Sequence, residues 1–518
     1  MFAWVLCVLC VSFSACAKRD SRPADHILRI AQRNEPATLD PQLATLPDEF
    51  FIIRALSEGL LTPDPAGGAP LPGVAEKWEV SADGLTYTFH LRPGAKWSNG
   101  DPVTAQDFVY SIRRALAGAT AAPKASLFLA LRGAFQELTG VVDFPVLPGV
   151  TAPDPHTLVL TLAQPTADFP SIVASGPWIP VHRQSVEKHG RHWTRPGNYV
   201  GNGPFILAEW KPNQRITVRK NPLYGDAAAV KLEGLQFLAF DSGDSEERAF
   251  RAGQVDVTMA VPFSKLAGYR AASPAVVHAA PLHETRYLAL NTTRPPLDDA
   301  RVRLALALAL DRATLVDKVV RSGQPAFNFV PAGLGGYAPT TRIYEDAAEA
   351  RRLLTQAGFP QGKGFPHLEI GTWVNTPVLE AIQQMWRDEL GITVTIAPRE
   401  ARTHLAALAA GDYAIAFMTA IPDYDGASDL FRQLTGGNPA NYPHWLFPEF
   451  DHLVATASEL TDPVTRNATY QKAEAVLLDE MPVIPLYFNA QNYLVSPAVH
   501  GWRADRLWTR FYKDLSTQ

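Results

Sequence analysis

The chain has 518 residues, 47% hydrophobic and 19% charged, with a formal net charge of −5. That length predicts two or three domains, and the absence of a basic excess or of blocks of like charge excludes a nucleic-acid binder's electrostatic footprint. The three cysteines are Cys7, Cys10 and Cys16, so no disulfide framework, thiol redox pair or cysteine-based zinc site is expected beyond the N-terminus.

Residues 2–15 are apolar or small, and the polar stretch AKRDSRPADH follows at once. The run is too short to span a bilayer but has the length of a signal-peptide core ending in small residues. Ser14-Ala15-Cys16 resembles a bacterial lipobox, although Phe13 stands where such boxes usually carry Leu and no Lys or Arg precedes the run. The expectation is a lipoprotein signal peptide over 1–16, lipidation at Cys16, and a tether over 17–27. A body beginning at Leu28 would then be held at a membrane surface, in the periplasm or on the extracytoplasmic face. No later segment is apolar for long enough to cross a membrane.

Farther along, Leu85 to Trp97 alternates with period two, placing Leu85, Tyr87, Phe89 and Leu91 on one face of a predicted strand. A turn is expected at Asn99-Gly100, then Thr104 as the N-cap of a helix carrying Phe108, Ile112 and Leu116. The Pro- and Ala-rich stretch from Ala117 to Pro155 reads as irregular surface with some helix.

The second half has another rhythm. EDAAEARRLLTQAGFP predicts a helix with Ala350, Leu353, Leu354 and Ala357 on one face and Gly358 just past its end. VLEAIQQMWRDELGITVTI predicts a second helix, carrying Ile382, Met385 and Trp386, closed by Gly391 and followed by a strand at Ile392, Val394 and Ile396. THLAALAAGDYAIAFM repeats the pattern, with Gly411 and a strand from Tyr413. Helix, glycine, strand, repeated, predicts a parallel or mixed α/β sheet.

Ligands of such sheets bind outside the carboxyl ends of the strands. Pro422 and Asp423 fall at such an end, with Asp425 and Asp429 close behind. Asp425 and Asp429 read as turn and helix-cap residues.

Several stretches together resemble the family 5 extracellular solute-binding proteins, the receptors of ABC importers. They are LDPQLA at 39–44, ALSEGLLTPDPAG at 55–67, the run from Gly73 to Arg114, PPLDDARVRLALALALDR at 295–312, and NATYQKAEAVLLDEMPVIPLYF at 467–488. PDYDGASDLF at 422–431 brings the oligopeptide-binding members nearest. The resemblance implies an α/β fold of the two-lobed periplasmic-binding-protein kind (type II, cluster C), with mixed sheets, a hinge and an additional N-terminal α+β domain. It divides the chain into lobe I (28–56, 180–282 and 488–518), an inserted domain II (57–179) and lobe II (283–487), hinged near His283–Leu290 and Ile484–Ala490. Asp423 would hold a peptide's α-ammonium group, beside Tyr424. The peptide would lie extended between the main chain of Ala44, Thr45 and Leu46 and that of Thr419, Ala420 and Ile421. Partners would be a peptide, a permease with separate ATPase subunits, and the membrane through the lipid; no cofactor, metal or nucleic acid is expected, and the chain would be a monomer.

Positions matching the basic carboxylate clamps of known members read Ala307, Glu380, Leu408 and Phe417, none of them basic. Arg402, His404, Arg432 and His444 are the substitutes considered. Alternatives within the family are receptors for murein peptides, nickel chelates, haem or sugars. An exported hydrolase is the alternative outside it, but no Gly-x-Ser-x-Gly elbow, His-Glu-x-x-His helix or Walker loop occurs. His182, His189 and His192 have only loose metal spacing, and HETRY at 283–287 lacks a second histidine.

Overall fold

The computed structural model describes residues 26–141, 146–503 and 505–517; Cys16 and the tether up to residue 25 lie outside them. Three principal sheets organise the chain. The first runs Ile27–Gln32, Gly234–Ala239, Arg215–Lys220, Phe205–Lys211 in spatial order, its first pair parallel and the others antiparallel. The second is antiparallel throughout: Ala75–Val80, Thr86–Leu91, Thr157–Thr161, Val150–Asp154. The third is mixed, in the order Gln324–Pro325, Val483–Leu494, Val277–Leu290, Ile415–Ala420, Leu368–Thr372, Val394–Pro398.

Most local expectations hold. Tyr87, Phe89 and Leu91 are buried on one face of Thr86–Leu91. Helix Ala105–Leu116 starts at Thr104, whose backbone N–H donates to the Asp107 carboxylate at 2.7 Å, one half of a capping box. Phe108, Ile112 and Leu116 point from that helix into the core beneath the second sheet. Helices Ala347–Gln356 and Pro377–Leu390 are followed by Gly358 and Gly391, both at positive φ, where a side chain would be strained. His182, one of the loosely spaced histidines, caps helix Arg183–His189, its Nδ1 accepting from Ser185 N–H at 3.2 Å.

The stretch from Ala117 to Pro155 is irregular with some helix, as expected, and most of its described residues are exposed or half-buried. It also sends Leu127, Phe128, Leu131, Leu147 and Val150 into the core, and Phe128 stacks on Trp178 at 4.5 Å between ring centroids. Its apolar residues sit in a 3-10 turn, loops and a strand entry, so they show neither a helical nor a strand period in sequence.

Two long strands, Val277–Leu290 and Val483–Leu494, link the first sheet to the third. They pair antiparallel from Val277↔Leu494 to Ala289↔Val483, with a register shift between Pro281 and Thr285. Bridges Ile30↔Val257 and Val257↔Val495 tie their near end to the first sheet. Their far end lies in the third sheet, beside Ile415–Ala420.

A buried carboxylate organises the loop packed against that sheet. Glu474 accepts the backbone N–H groups of Phe329 and Val330, each at 3.0 Å, and the Tyr337 hydroxyl at 2.6 Å. Glu474→Ala leaves three buried donors without their acceptor and is expected to cost roughly 3–5 kcal/mol. Glu474→Gln, which keeps an amide oxygen there, should lose about half as much or less. Thermal unfolding of the two variants checks the order.

Candidate functional site

Strand Ile415–Ala420 ends where Pro422 removes a backbone donor, and its buried run Ile415, Ala416, Phe417 and Met418 fixes it in the sheet. On one side it pairs with a crossing strand as far as Thr285↔Ala420. On the other it meets Leu368–Thr372 only through Ile370↔Ile415 and Gly371↔Ala416. Past Ala416, the described residues put no strand on that edge, so Thr419 and Ala420 can accept an extended ligand. The Thr419 hydroxyl is anchored to the buried Glu284 at 3.0 Å; Glu284 also accepts from the Trp508 indole at 2.9 Å and pairs with Arg286 at 2.8 Å.

The turn after Ile421 brings the three aspartates into separate roles. Asp423 N–H donates to Asp429 Oδ2 at 2.8 Å, and Asp425 Oδ1 accepts from Gly335 N–H at 2.7 Å. Neither Asp425 nor Asp429 caps the helix Ala427–Arg432, whose N-cap is Gly426. The cap must be small: a Cβ there would come within 2.7 Å of the Tyr424 ring and 2.8 Å of Asp168 Oδ2. Tyr424 is buried, its hydroxyl 2.9 Å from Ser428 Oγ, so its side chain belongs to the packing beneath the turn.

The Asp423 carboxylate forms an ion pair with the Lys124 ammonium, which comes from the domain of the second sheet. Beside it, Asp168 accepts from the Ser428 hydroxyl, and Ala167 N–H donates to Ser458 C=O at 3.2 Å. These three contacts join the second-sheet domain to the body of the third. Burial, reinforced by Asp423, pushes the Asp429 carboxyl up to about 7; burial also raises Asp425 and Asp168.

At the opposite wall, Thr45 and Leu46 donate their N–H groups to Glu49 Oε2 at 2.8 and 3.0 Å, and Ala44 N–H donates to Asp40 C=O at 2.9 Å. A ligand strand can therefore meet this segment only through its carbonyl oxygens. The Leu46 side chain is exposed.

The substitutes considered for a carboxylate clamp do not gather. His404 is buried against Trp373 at 5.0 Å, His444 Nε2 lies 3.2 Å from Leu408 C=O, and Arg402 is exposed. Arg432 is half-buried in the last turn of helix Ala427–Arg432. Basic groups instead surround a cavity of about 790 Å³ beside the crossing strands, where Arg270, Arg321 and Arg506 meet His283, Asn489 and Asn492. Burial, helped by Arg506, lowers His283 to about 4, so it is neutral there at pH 7. No local pattern announces these arginines, because they come from three distant segments.

The Asp429 shift gives a stability dependence with a definite sign. Its folded carboxyl titrates near 7 against an ordinary 3.8, so the folded state holds a proton that the unfolded state releases. Its contribution is complete below pH 4 and is lost as pH rises through about 7. Asp429→Asn should remove that decline, raising Tm at pH 8 relative to pH 5 by about 2–4 °C compared with the parent. Melting curves across that range provide the check.

Comparison with known proteins places this geometry. Residues 69–442 match the family model described as "Bacterial extracellular solute-binding proteins, family 5 Middle". The chain is 34% identical over 490 residues to the "Probable deoxycholate-binding periplasmic protein YgiS" of Escherichia coli, covering 92% of this chain and 90% of that one. It is 33% identical to the same organism's "Periplasmic murein peptide-binding protein MppA", over 96% and 95% of the two chains. Its identity to that organism's "Periplasmic oligopeptide-binding protein OppA" is 34%, over 92% and 90%. Among solved structures, Escherichia coli MppA superposes with a TM-score of 0.85 at 31% identity, over 95% and 98% of the chains, and its unliganded open form with 0.77 at 31%, over 96% and 98%. Haemophilus influenzae OppA in complex with RPPGFSPFR gives 0.84 at 30%, over 96% and 99%. The fold is therefore the two-lobed, mixed α/β type II periplasmic-binding architecture, and the chain belongs to the family 5 bacterial extracellular solute-binding proteins.

Proposed function

We propose that the chain is the extracytoplasmic receptor of an ABC importer for peptides, and that Asp423 anchors the peptide's α-ammonium group. The observation that carries this reading is the seat itself. A carboxylate at the free end of strand Ile415–Ala420, in the seam between lobes, is paired with an amine nitrogen. A desolvated ammonium needs such a partner, and removing one member of the pair costs roughly 2–5 kcal/mol. The open edge at Thr419 and Ala420, continued by Ile421, would read the peptide main chain; Tyr424 packs beneath. Ala44, Thr45 and Leu46 would contribute carbonyl oxygens from the other lobe. Relatives named for murein peptides and oligopeptides support the reading.

In this reading the lobes 28–56, 180–282 and 488–518 on one side, with the inserted domain 57–179, and 283–487 on the other, move about the crossing strands. A ligand shifts that equilibrium only by its preference for the closed state. The closed complex would dock on a permease driven by separate ATPase subunits. Cys16 would carry the lipid that holds the monomer at the membrane.

A second reading, an anionic amphiphile without an amine, is favoured by the arginines around the large cavity and by the relative named for deoxycholate.

Titration of the body from Ala17 with a pool of short peptides and with its N-acetylated counterpart, read by native mass spectrometry, tests the anchor. Free peptides should bind more tightly than acetylated ones, and Asp423→Asn should weaken the free peptides by about 30-fold or more. Equal binding of both pools would remove the ammonium from the assignment. For the lipid, Cys16→Ser should move the protein from the membrane to the soluble fraction.

A further inference from the structure

The ammonium anchor of the preceding reading is not vacant. Lys124 stands at the start of a 3-10 turn, Ala125–Phe128, whose Phe128 is locked against Trp178 at 4.5 Å. Its backbone is thereby fixed, and its four-carbon stem carries the ammonium onto Asp423, with the Phe50 ring 5.7 Å away on another side. A carboxylate and an aromatic face are the partners that a ligand ammonium would seek.

We propose that Lys124 is the specificity-determining residue of this site: its ammonium is the resident occupant of the Asp423 seat, and a ligand's own ammonium is accepted only by displacing it. This inference rests on Asp423 being the anchor. Ligands that bring no ammonium to that end bind beside the Lys124–Asp423 pair without breaking it.

Displacement, rather than sharing, follows from the charges at hand. Two ammonium groups against the single Asp423 carboxylate would leave an excess of positive charge at close range in a partly desolvated seam. Among the described residues the acid bonded to Asp423 is Asp429, which already accepts its backbone N–H at 2.8 Å, and burial raises the Asp429 carboxyl to about 7. Lys124 can leave: its side chain is 21% exposed and Asp423's is 28% exposed, so the pair borders solvent. A lysine ammonium is readily rehydrated on its flexible stem. While the lobes are together, the tethered amine competes at an effective concentration in the millimolar range.

The experiment compares isothermal titrations of the parent, Lys124→Met and Lys124→Arg, each with and without Asp423→Asn. The probes are one peptide selected from the short-peptide pool and its N-acetylated twin. The quantity read is the ratio of free to acetylated affinity. Lys124→Met should raise that ratio at least about tenfold over the parent, by tightening the free peptide while leaving the acetylated one within about twofold. Lys124→Arg, which keeps a cation at the seat, should hold the ratio near the parent's. Asp423→Asn should collapse it in every background.

An unchanged ratio in Lys124→Met, still collapsing with Asp423→Asn, would overturn the role of Lys124 and leave the anchor standing. Equal increases in the Met and Arg variants would also overturn it, since packing and not charge would then be responsible. A ratio of one throughout would overturn the anchor and this inference together. Matching melting curves for the variants guard against misfolding.

Discussion

The antiparallel ladder between Val277–Leu290 and Val483–Leu494 is the constraint from which the rest of the molecule hangs. Its register is broken twice, between Pro281 and Thr285 and again between Arg286 and Tyr287, and the first break is the longer. Proline offers no ladder donor, and an irregular step there bends and twists the pair locally. At that break His283 N–H donates instead to Arg506 C=O at 2.8 Å, drawing the C-terminal segment onto the crossing. The site inherits its position from this arrangement. Thr285 pairs with Ala420, so strand Ile415–Ala420 ends where the ladder changes course.

Charge decides what happens in the seam. An isolated carboxylate taken out of water is costly unless it is matched, and each acid near the seam is matched differently. Asp425 takes a backbone N–H from Gly335, Asp168 the Ser428 hydroxyl, and Asp429 the Asp423 N–H. Asp423 alone among these is matched by a formal cation. In the proposed reading that difference makes Asp423 the seat for an ammonium group, with the remaining acids orienting it. Arg270, Arg321 and Arg506, with Asp317, line the cavity beside the crossing strands.

Local chemistry was legible wherever a pattern repeats within a few residues. The Thr104 box, the alternation of Tyr87, Phe89 and Leu91, and the glycines after the helices of the third sheet report on backbone geometry a few residues away. Asp423 was legible for a related reason: a strand broken by proline and followed by acids is a local event, and the family resemblance marked it. The core residues Leu127, Phe128 and Leu131 within the surface stretch after Ala117 were not legible, since loops and single turns impose no period on their apolar residues. Glu49 also escaped notice; an acid in the first turn of helix Pro47–Leu56 looks ordinary, yet it takes the Thr45 and Leu46 donors.

The sequence by itself therefore determined the family, the class of the sheets and the acid at the end of Ile415–Ala420, because each is written in short-range spacing or in contiguous motifs. Only the tertiary structure decided what that acid meets. Lys124 is 299 positions away, and Arg270, Arg321 and Arg506 converge from separate elements. Pairing between distant charges depends on the path of the chain through three sheets and one bent ladder, and no local periodicity encodes that path.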